Sequence, residues 1–324
     1  MSSAQLKSDT VKAEAMRLGF SHCGLAPAEE VDEAYMHHYE QWLSEGRQAE
    51  MHYMENHLDK RLDPRLLMDN LKSIVCVALN YAPQQRIPDS EYQIAAYAYG
   101  QDYHDIVKQK LHALAAFISQ RVNEDKQEEE ELHYRAFSDS APILERYWAV
   151  QAGLGWVGRN HQLIIPHAGS MFFLGELFLD MELEYDEPIE NRCGNCSKCI
   201  DACPTGALTP VPGLTLPSFN AEKCLSYQTI ENRGDIPSSL AEKMGDSIYG
   251  CDRCLQACPW NRFAQPTHEP LLQPKEELLE MTKEKWQQLT EEDYRRLFKG
   301  SAVKRAKYEG LMRNIKAIRN EQDQ

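Results

Sequence analysis

Eight of the ten cysteines fall in two compact runs, Cys193-x2-Cys196-x2-Cys199-x3-Cys203-Pro204 and, after Cys224, Cys251-x2-Cys254-x3-Cys258-Pro259. Three thiolates spaced two residues apart can wrap three irons of one 4Fe-4S cubane, while a fourth beyond a three-residue gap points away and ligates the neighbouring cluster. By that crossing rule Cys193, Cys196, Cys199 and Cys258 hold one cluster, and Cys203, Cys224, Cys251 and Cys254 hold the other. Zinc and disulfides are the competing uses of such spacings. Zinc ribbons favour pairs of Cys-x2-Cys across a longer gap, and no histidine lies among these cysteines. Cys23 and Cys76 stand in apolar stretches and read as core packing.

The chemistry offered is electron transfer, yet these cysteines occupy a minor part of 324 residues. The stretch before Cys193 is long enough to bury a core of its own. Electron delivery is therefore expected to serve that first domain. No apolar run is long enough for a bilayer, and the first twenty residues pattern as an amphipathic helix rather than a signal peptide. Reduced thiols and labile clusters place the chain in the cytoplasm, with no membrane partner.

Helix and strand patterns alternate along the first domain. Residues 4–18 repeat apolar positions at helical spacing (Leu6, Val11, Ala15, Leu18) and stop at Gly19. Residues 22–26 and 73–80 read as apolar strands, and 31–45 and 105–122 as helices. Pro142 opens a further helix that Ser140 or Asp139 is placed to cap. Residues 162–165 and 171–179 look like two strands of a hairpin joined through Pro166 to Ser170. The expected fold is α+β: an α/β domain over 1–185, a ferredoxin-like two-cluster domain over 186–265, and a helical basic tail over 266–324.

Outside the cysteines the sequence leaves alternatives open. Asp139 is either an N-cap or a proton donor with a pKa raised by burial. Gly153, Gly155 and Gly158 would allow backbone to approach a flat or phosphorylated ligand, although no strand leads into them as a dinucleotide fingerprint requires. Tyr92, Tyr97, Tyr99 and Tyr103 read as a half-buried core edge, and His104 as a capping or surface residue. The net charge of −15 argues against a polyanionic partner, but nine basic side chains between 295 and 319 face a single acid, Glu309. That stretch is either an ordinary charged helix or a local nucleic-acid contact. The acidic run from 124 to 131 reads as a solvated loop.

Taken together, several strings resemble epoxyqueuosine reductase. They are Asp139-Ser140-Ala141-Pro142-Ile143-Leu144-Glu145-Arg146, Gly153-Leu154-Gly155-Trp156 with Gly158, Gly175-Glu176-Leu177, Cys203-Pro204-Thr205-Gly206-Ala207, Cys224-Leu225-Ser226-Tyr227, and Cys258-Pro259-Trp260-Asn261. The resemblance extends from the first helix to about residue 320. It implies a cobalamin-dependent reductase with two 4Fe-4S clusters, related to corrinoid reductive dehalogenases, that removes the epoxide oxygen of epoxyqueuosine at the wobble position of tRNA. On this resemblance Asp139 is the acid, and Arg61, Asp102, Leu163, Ser226, Gly250 and Asp252 line the corrin together with Asp139. Arg233, Arg305 and Arg313 contact tRNA phosphates. The protein would act as a monomer fed by an external electron donor.

Two departures are visible. Many members of the family continue into a helical-repeat extension where this chain ends at Gln324, and they commonly carry an arginine in the segment that here reads Tyr99-Gly100-Gln101-Asp102. Both bear on the grip on tRNA. The rival functions are a corrinoid dehalogenase of small organohalides, usually exported behind a twin-arginine leader that this sequence lacks, and a ferredoxin-like electron carrier, which would bind clusters and no corrinoid.

Overall fold

A computed structural model describes residues 8–124, 131–213 and 216–322. The acidic run from 124 to 131 falls largely outside these residues, as does Leu6. The chain runs through α1 (Ser8–Arg17), β1 (His22–Pro27), α2 (Glu33–Ser44), α3 (Leu58–Leu62), β2 (Ser73–Asn80), β3 (Gln93–Ile94), α4 (Tyr103–Asn123), β4 (Tyr134–Phe137) and α5 (Glu145–Gln151). It continues through β5 (Trp156–Val157), β6 (Leu163–Ile164), β7 (Phe172–Leu179), α6 (Lys198–Asp201), β8 (Leu208–Thr209), β9 (Ser218–Phe219) and α7 (Leu225–Ile230). Four short elements, α8 (Ser238–Ala241), β10 (Ser247–Tyr249), α9 (Arg253–Gln256) and α10 (Glu276–Leu279), precede α11 (Lys283–Gln287), α12 (Glu291–Leu297) and α13 (Lys307–Gln322).

The main sheet has the order β1-β2-β7-β4, and every neighbouring pair in it is antiparallel. Helices cover both faces, which explains why β2 is apolar throughout rather than alternating. Alternation still sorts its side chains. Val75, Val77 and Leu79 enter a core with Val11 and Ala15 of α1 and Val107, Leu111 and Leu114 of α4. Ile74, Cys76 and Ala78 enter the opposite core with Trp148 of α5, and Tyr39 of α2. Strand β7 divides in the same way, and a Cβ added to Gly175 would lie 2.5 Å from Val107 Cγ1, so α4 packs directly on its backbone.

The expected hairpin is not one. Strand β6 pairs with β5, while β7 pairs with β2 and β4, leaving only the isolated bridge Ile165 to Gly169 between the two segments. The turn is held instead by a distant residue. Asn261 Oδ1 accepts Ser170 N–H at 2.7 Å, and Gly169, at φ +90°, lies so near that a Cβ would stand 2.4 Å from that oxygen.

The helices after residue 266 pack into a third core. Trp286, Leu297, Phe298, Leu311, Ile315 and Ile318 are buried there against Ile87, Tyr92, Ile94, Leu225 and Tyr249. This core draws on all three sequence segments, so the C-terminal helices are built into the body of the molecule.

Candidate active site and cluster ligands

The crossing pattern of the cysteines is visible in the geometry. Cys193, Cys196 and Cys199 of the first run and Cys258 of the second line one cavity of about 330 Å³, rimmed by Arg159, Trp260 and Phe263. Burial and the neighbouring Cys258 and Cys193 push the Cys199 thiol up to about 11. Burial, followed by the influence of Cys251, Cys224, Cys203 and Cys199, pushes the Cys254 thiol up as well. Cys193, Cys196, Cys199 and Cys258 are thus gathered at one cavity, and the two short helices that carry the runs, α6 and α9, lie side by side. Among the described residues no three His, Cys, Asp or Glu side chains converge on one point as a mononuclear metal site requires. Cys23 and Cys76 stay apart from both quartets, and burial raises both thiols.

Asp139 is not a helix cap. Helix α5 begins at Glu145, with Leu144 in the capping position and no side-chain cap bond. Asp139 has φ +48°, a left-handed backbone that a non-glycine residue adopts only when its surroundings enforce it. Its carboxylate instead accepts the Tyr103 hydroxyl at 2.5 Å and lies 3.7 Å from His104 Nε2. Its backbone N–H donates to Glu145 Oε1. Helix α4 supplies both partners from its first turn, where Asp102 caps the helix by accepting His104 N–H at 3.2 Å and holds His104 Nδ1 at 2.6 Å.

This network sets the charges. Hydrogen bonding to Asp102, then to Asp139, raises His104 to about 9, so it is an imidazolium at neutral pH. The Asp139 carboxyl was expected to be raised by burial. Burial does push it up, but the hydrogen bonds from His104 and Tyr103 win and hold it below the usual carboxylate range. Its side chain is 63% exposed, so it faces an opening rather than a packed core.

The other candidate residues lie on separate stretches of chain, and several come within electrostatic reach of one another near Asp139. Tyr53, 44% exposed, is within electrostatic reach of Glu231, Arg305, Asp139 and Arg61. Arg61, on α3, is buried and donates to Tyr53 O at 2.8 Å and Asn56 O at 3.3 Å. The Arg305 guanidinium stands 5.8 Å from the Tyr53 ring centre and pairs with Glu231 at 2.7 Å. Arg233 donates to the carbonyls of Ile230 and Arg305. Arg313 turns inward, donating to the carbonyls of Asn232, Gly234 and Gln228, each within 2.8 Å. Ser226 is half-buried on α7, and Leu163 is buried on β6. Gly250, at φ +70°, donates to Thr229 Oγ1 at 2.8 Å, and Asp252 accepts Ala96 N–H at 2.8 Å.

The glycines read as a ligand cradle have another use. A Cβ on Gly155 would lie 2.1 Å from the Ile164 carbonyl oxygen, one on Gly158 2.4 Å from Ile164 Cδ1, and one on Gly153 2.7 Å from the Glu187 carbonyl oxygen. They let the chain pack on itself. Sequence reasoning also passed over Tyr103, His104, Glu145 and Glu176, although each adjoins or lies within a string already singled out. The available signal for Glu176 was its place as the one charged residue of an otherwise apolar strand.

Comparison with known proteins bears on this arrangement. Residues 61–140 match the family described as Epoxyqueuosine reductase QueG, DUF1730, and residues 192–261 match a 4Fe-4S double cluster binding domain. An epoxyqueuosine reductase of Cellulophaga algicola is 44% identical over 97% of this chain and 99% of its own length. The chain belongs to the epoxyqueuosine reductase family. Membership makes it an oxidoreductase. Among solved structures, an epoxyqueuosine reductase crystallised with an epoxyqueuosine-modified tRNA-Tyr stem loop is similar with a TM-score of 0.84 and 26% identity, covering 97% of this chain and 80% of that one. The Bacillus subtilis epoxyqueuosine reductase, solved with its catalytic aspartate loop swung out of the active site, gives 0.82 at 26% identity over 97% of this chain and 81% of that one. A catabolic reductive dehalogenase shares the fold at a TM-score of 0.50 and 18% identity, over 83% of this chain and 34% of that one. Among the described residues no helix is long and apolar enough to cross a membrane.

Proposed function

We propose that this protein reduces epoxyqueuosine to queuosine at the wobble position of tRNA, using cobalamin and two 4Fe-4S clusters. The reading rests above all on 44% identity to an epoxyqueuosine reductase over 97% of the chain, a span that takes in Asp139 and all eight clustered cysteines. Each cysteine quartet fits a cubane in ligand number and type, Cys193, Cys196, Cys199 and Cys258 for one and Cys203, Cys224, Cys251 and Cys254 for the other. Asp139 is 63% exposed and Tyr53, itself exposed, lies within electrostatic reach of it, so a group bound there would meet an acid beside an aromatic ring. Arg61, Asp102, Leu163, Ser226, Gly250 and Asp252 would hold that group.

Removing an epoxide oxygen to leave an alkene takes two electrons and two protons and releases water. Cobalamin, when bound, supplies a metal centre that accepts electrons singly and acts on the strained carbon–oxygen bond. The chain supplies the rest. Electrons from an external donor enter through the cysteine quartets, which adjacent helices keep close together. The His104 imidazolium, 3.7 Å from the ionised Asp139, supplies one proton that Asp139 hands to the departing oxygen, and solvent supplies the second. Tyr103 keeps the carboxylate aimed at the opening.

Arg233 and Arg305 stand beside the same opening and position tRNA phosphates rather than read bases. Arg313 supports them by fixing the loop from 228 to 234. The protein works as a monomer in the cytoplasm. The test is anaerobic reconstitution with iron, sulfide and cobalamin, then incubation with tRNA bearing epoxyqueuosine and nucleoside analysis. Queuosine is the expected product, and its absence with clusters and corrinoid both bound rejects the reading.

A further inference from the structure

Strand alternation places Phe172, Leu174, Glu176 and Phe178 of β7 on the sheet face covered by α5, in the core that holds Ile74, Cys76 and Trp148. Glu176 is completely buried, between Cys76 of β2 and Phe137 of β4 in the ladder. Neither of its oxygens has a donor among the described residues. A carboxylate in such surroundings takes up a proton rather than stay charged. Its neighbour within hydrogen-bonding reach is another carboxyl, that of Glu145 on α5. Glu145 Oε1 accepts the backbone N–H of Asp139, the residue held at φ +48°.

We infer that Glu176 and Glu145 share one proton and act as a positioning pair, a buried latch that holds the Asp139 loop by its backbone amide. Glu176 donates upward from the sheet to Glu145, whose second function is to accept from the strained loop. The inference rests on the proposed role of Asp139 and adds to it the means by which that loop is kept in place. In the Bacillus subtilis relative a catalytic aspartate loop is found swung out of the active site. Such a loop needs something to hold it in.

The pair is also responsive to pH. Burial, followed by repulsion from Asp139, lifts Glu145 to about 7, while Arg146 and His104 pull it down. Cys76, Glu145 and Asp139 are the ionisable groups facing Glu176. Above about 7 Glu145 is a carboxylate and grips the amide tightly. Below it both acids are neutral and the grip loosens.

Three variants of the reconstituted holoenzyme test the latch without relying on turnover. Infrared spectra at pH 8 are expected to show the carbonyl band of a buried, protonated carboxylic acid, absent in Glu176→Gln. Hydrogen exchange at the Asp139 amide, corrected for intrinsic rate, should slow as pH rises through 7 in the parent and stay flat in Glu145→Gln. Glu176→Gln, whose amide still donates to Glu145, should keep the parent's protection, whereas Glu176→Leu should exchange about tenfold faster through loss of a hydrogen bond to a carboxylate. Should the leucine variant not fold, the infrared band and the Glu145→Gln exchange profile carry the test. Absence of the band, or identical Asp139 protection in parent and Glu145→Gln at all pH values, overturns the inference. A latch that passes while queuosine fails to form would instead count against the proposed reaction alone.

Discussion

The Tyr103 hydroxyl donates to the Asp139 carboxylate at 2.5 Å, across 36 residues of sequence. Tyr103 is itself fixed, its ring lying flat on Phe173 at 4.0 Å and 2°. A group presented on the central strand therefore sets where the acid points. Tyr103→Phe keeps the stack and removes the donor, so the Asp139 pKa should rise, and the high-pH limb of the pH–rate profile, on which activity falls as the donor pair loses its proton, should move upward. A profile unchanged in Tyr103→Phe would separate the hydroxyl from the acid's chemistry.

Asp139→Asn preserves size and removes the ionisable group. The expected loss of single-turnover queuosine formation is about 10²- to 10⁴-fold, the usual range for a general acid. Cluster spectra should stay at parent values, while the melting temperature at neutral pH should fall modestly, because the carboxylate accepts from Tyr103 and helps hold the His104 charge.

The crossing ligands make a sharp distinction between variants. Cys258→Ser should remove the cluster bound by Cys193, Cys196 and Cys199, the run distant from it in sequence. Cys203→Ser should remove the other, despite its place in the first run. Iron analysis with paramagnetic resonance of the reduced proteins reads which cluster remains. Loss of the cluster nearest in sequence would reverse the assignment.

Stability should depend on pH through His104. Its folded pKa, raised to about 9 by Asp102 and then Asp139, lies above the unfolded value of about 6.5. The stabilisation is thus fully present below about 6.5 and is lost as pH rises through 9. Thermal melts from pH 6 to 10 should show this decline in the parent and a flatter response in His104→Gln.

Two arginines of the basic stretch should behave differently. Arg305 is 53% exposed with one ion pair, and Arg305→Ala should cost less than about 1 kcal/mol while weakening tRNA binding. Arg313→Ala strips the donor from three carbonyls and should destabilise by about 1–3 kcal/mol. Urea titrations beside tRNA-binding isotherms check both.

Much of this was legible in the sequence where a rule is local. Ser73–Asn80 and the helix across 105–122 could be read from apolar runs and period. Ligand spacing alone pointed to Cys258 joining Cys193, Cys196 and Cys199, and these four line one cavity. What could not be read were long-range choices. Two apolar segments around Pro166 look like partners, and nothing nearby in sequence says that β6 prefers β5 while β7 fills the gap between β2 and β4. Asp139, three residues before Pro142, carries a local cue for a cap that Ser140 shares, yet Tyr103 and Glu145 hold it from elsewhere in the fold. Tyr103 and His104 looked ordinary because their importance lies in what the loop brings to them.

The third core closes only with the end of the chain. Asn314, fully buried on α13, donates to the carbonyls of Thr229 and Ile248 at 2.8 Å, stitching together the segments that flank Cys224 and lead into Cys251. A ribosome that has completed Cys258 must still synthesise Leu311, Ile315 and Ile318 before that core can form. At about 5–20 residues per second this leaves an interval of several seconds in which all eight thiols have been made while the core that packs against Cys251 is still unformed.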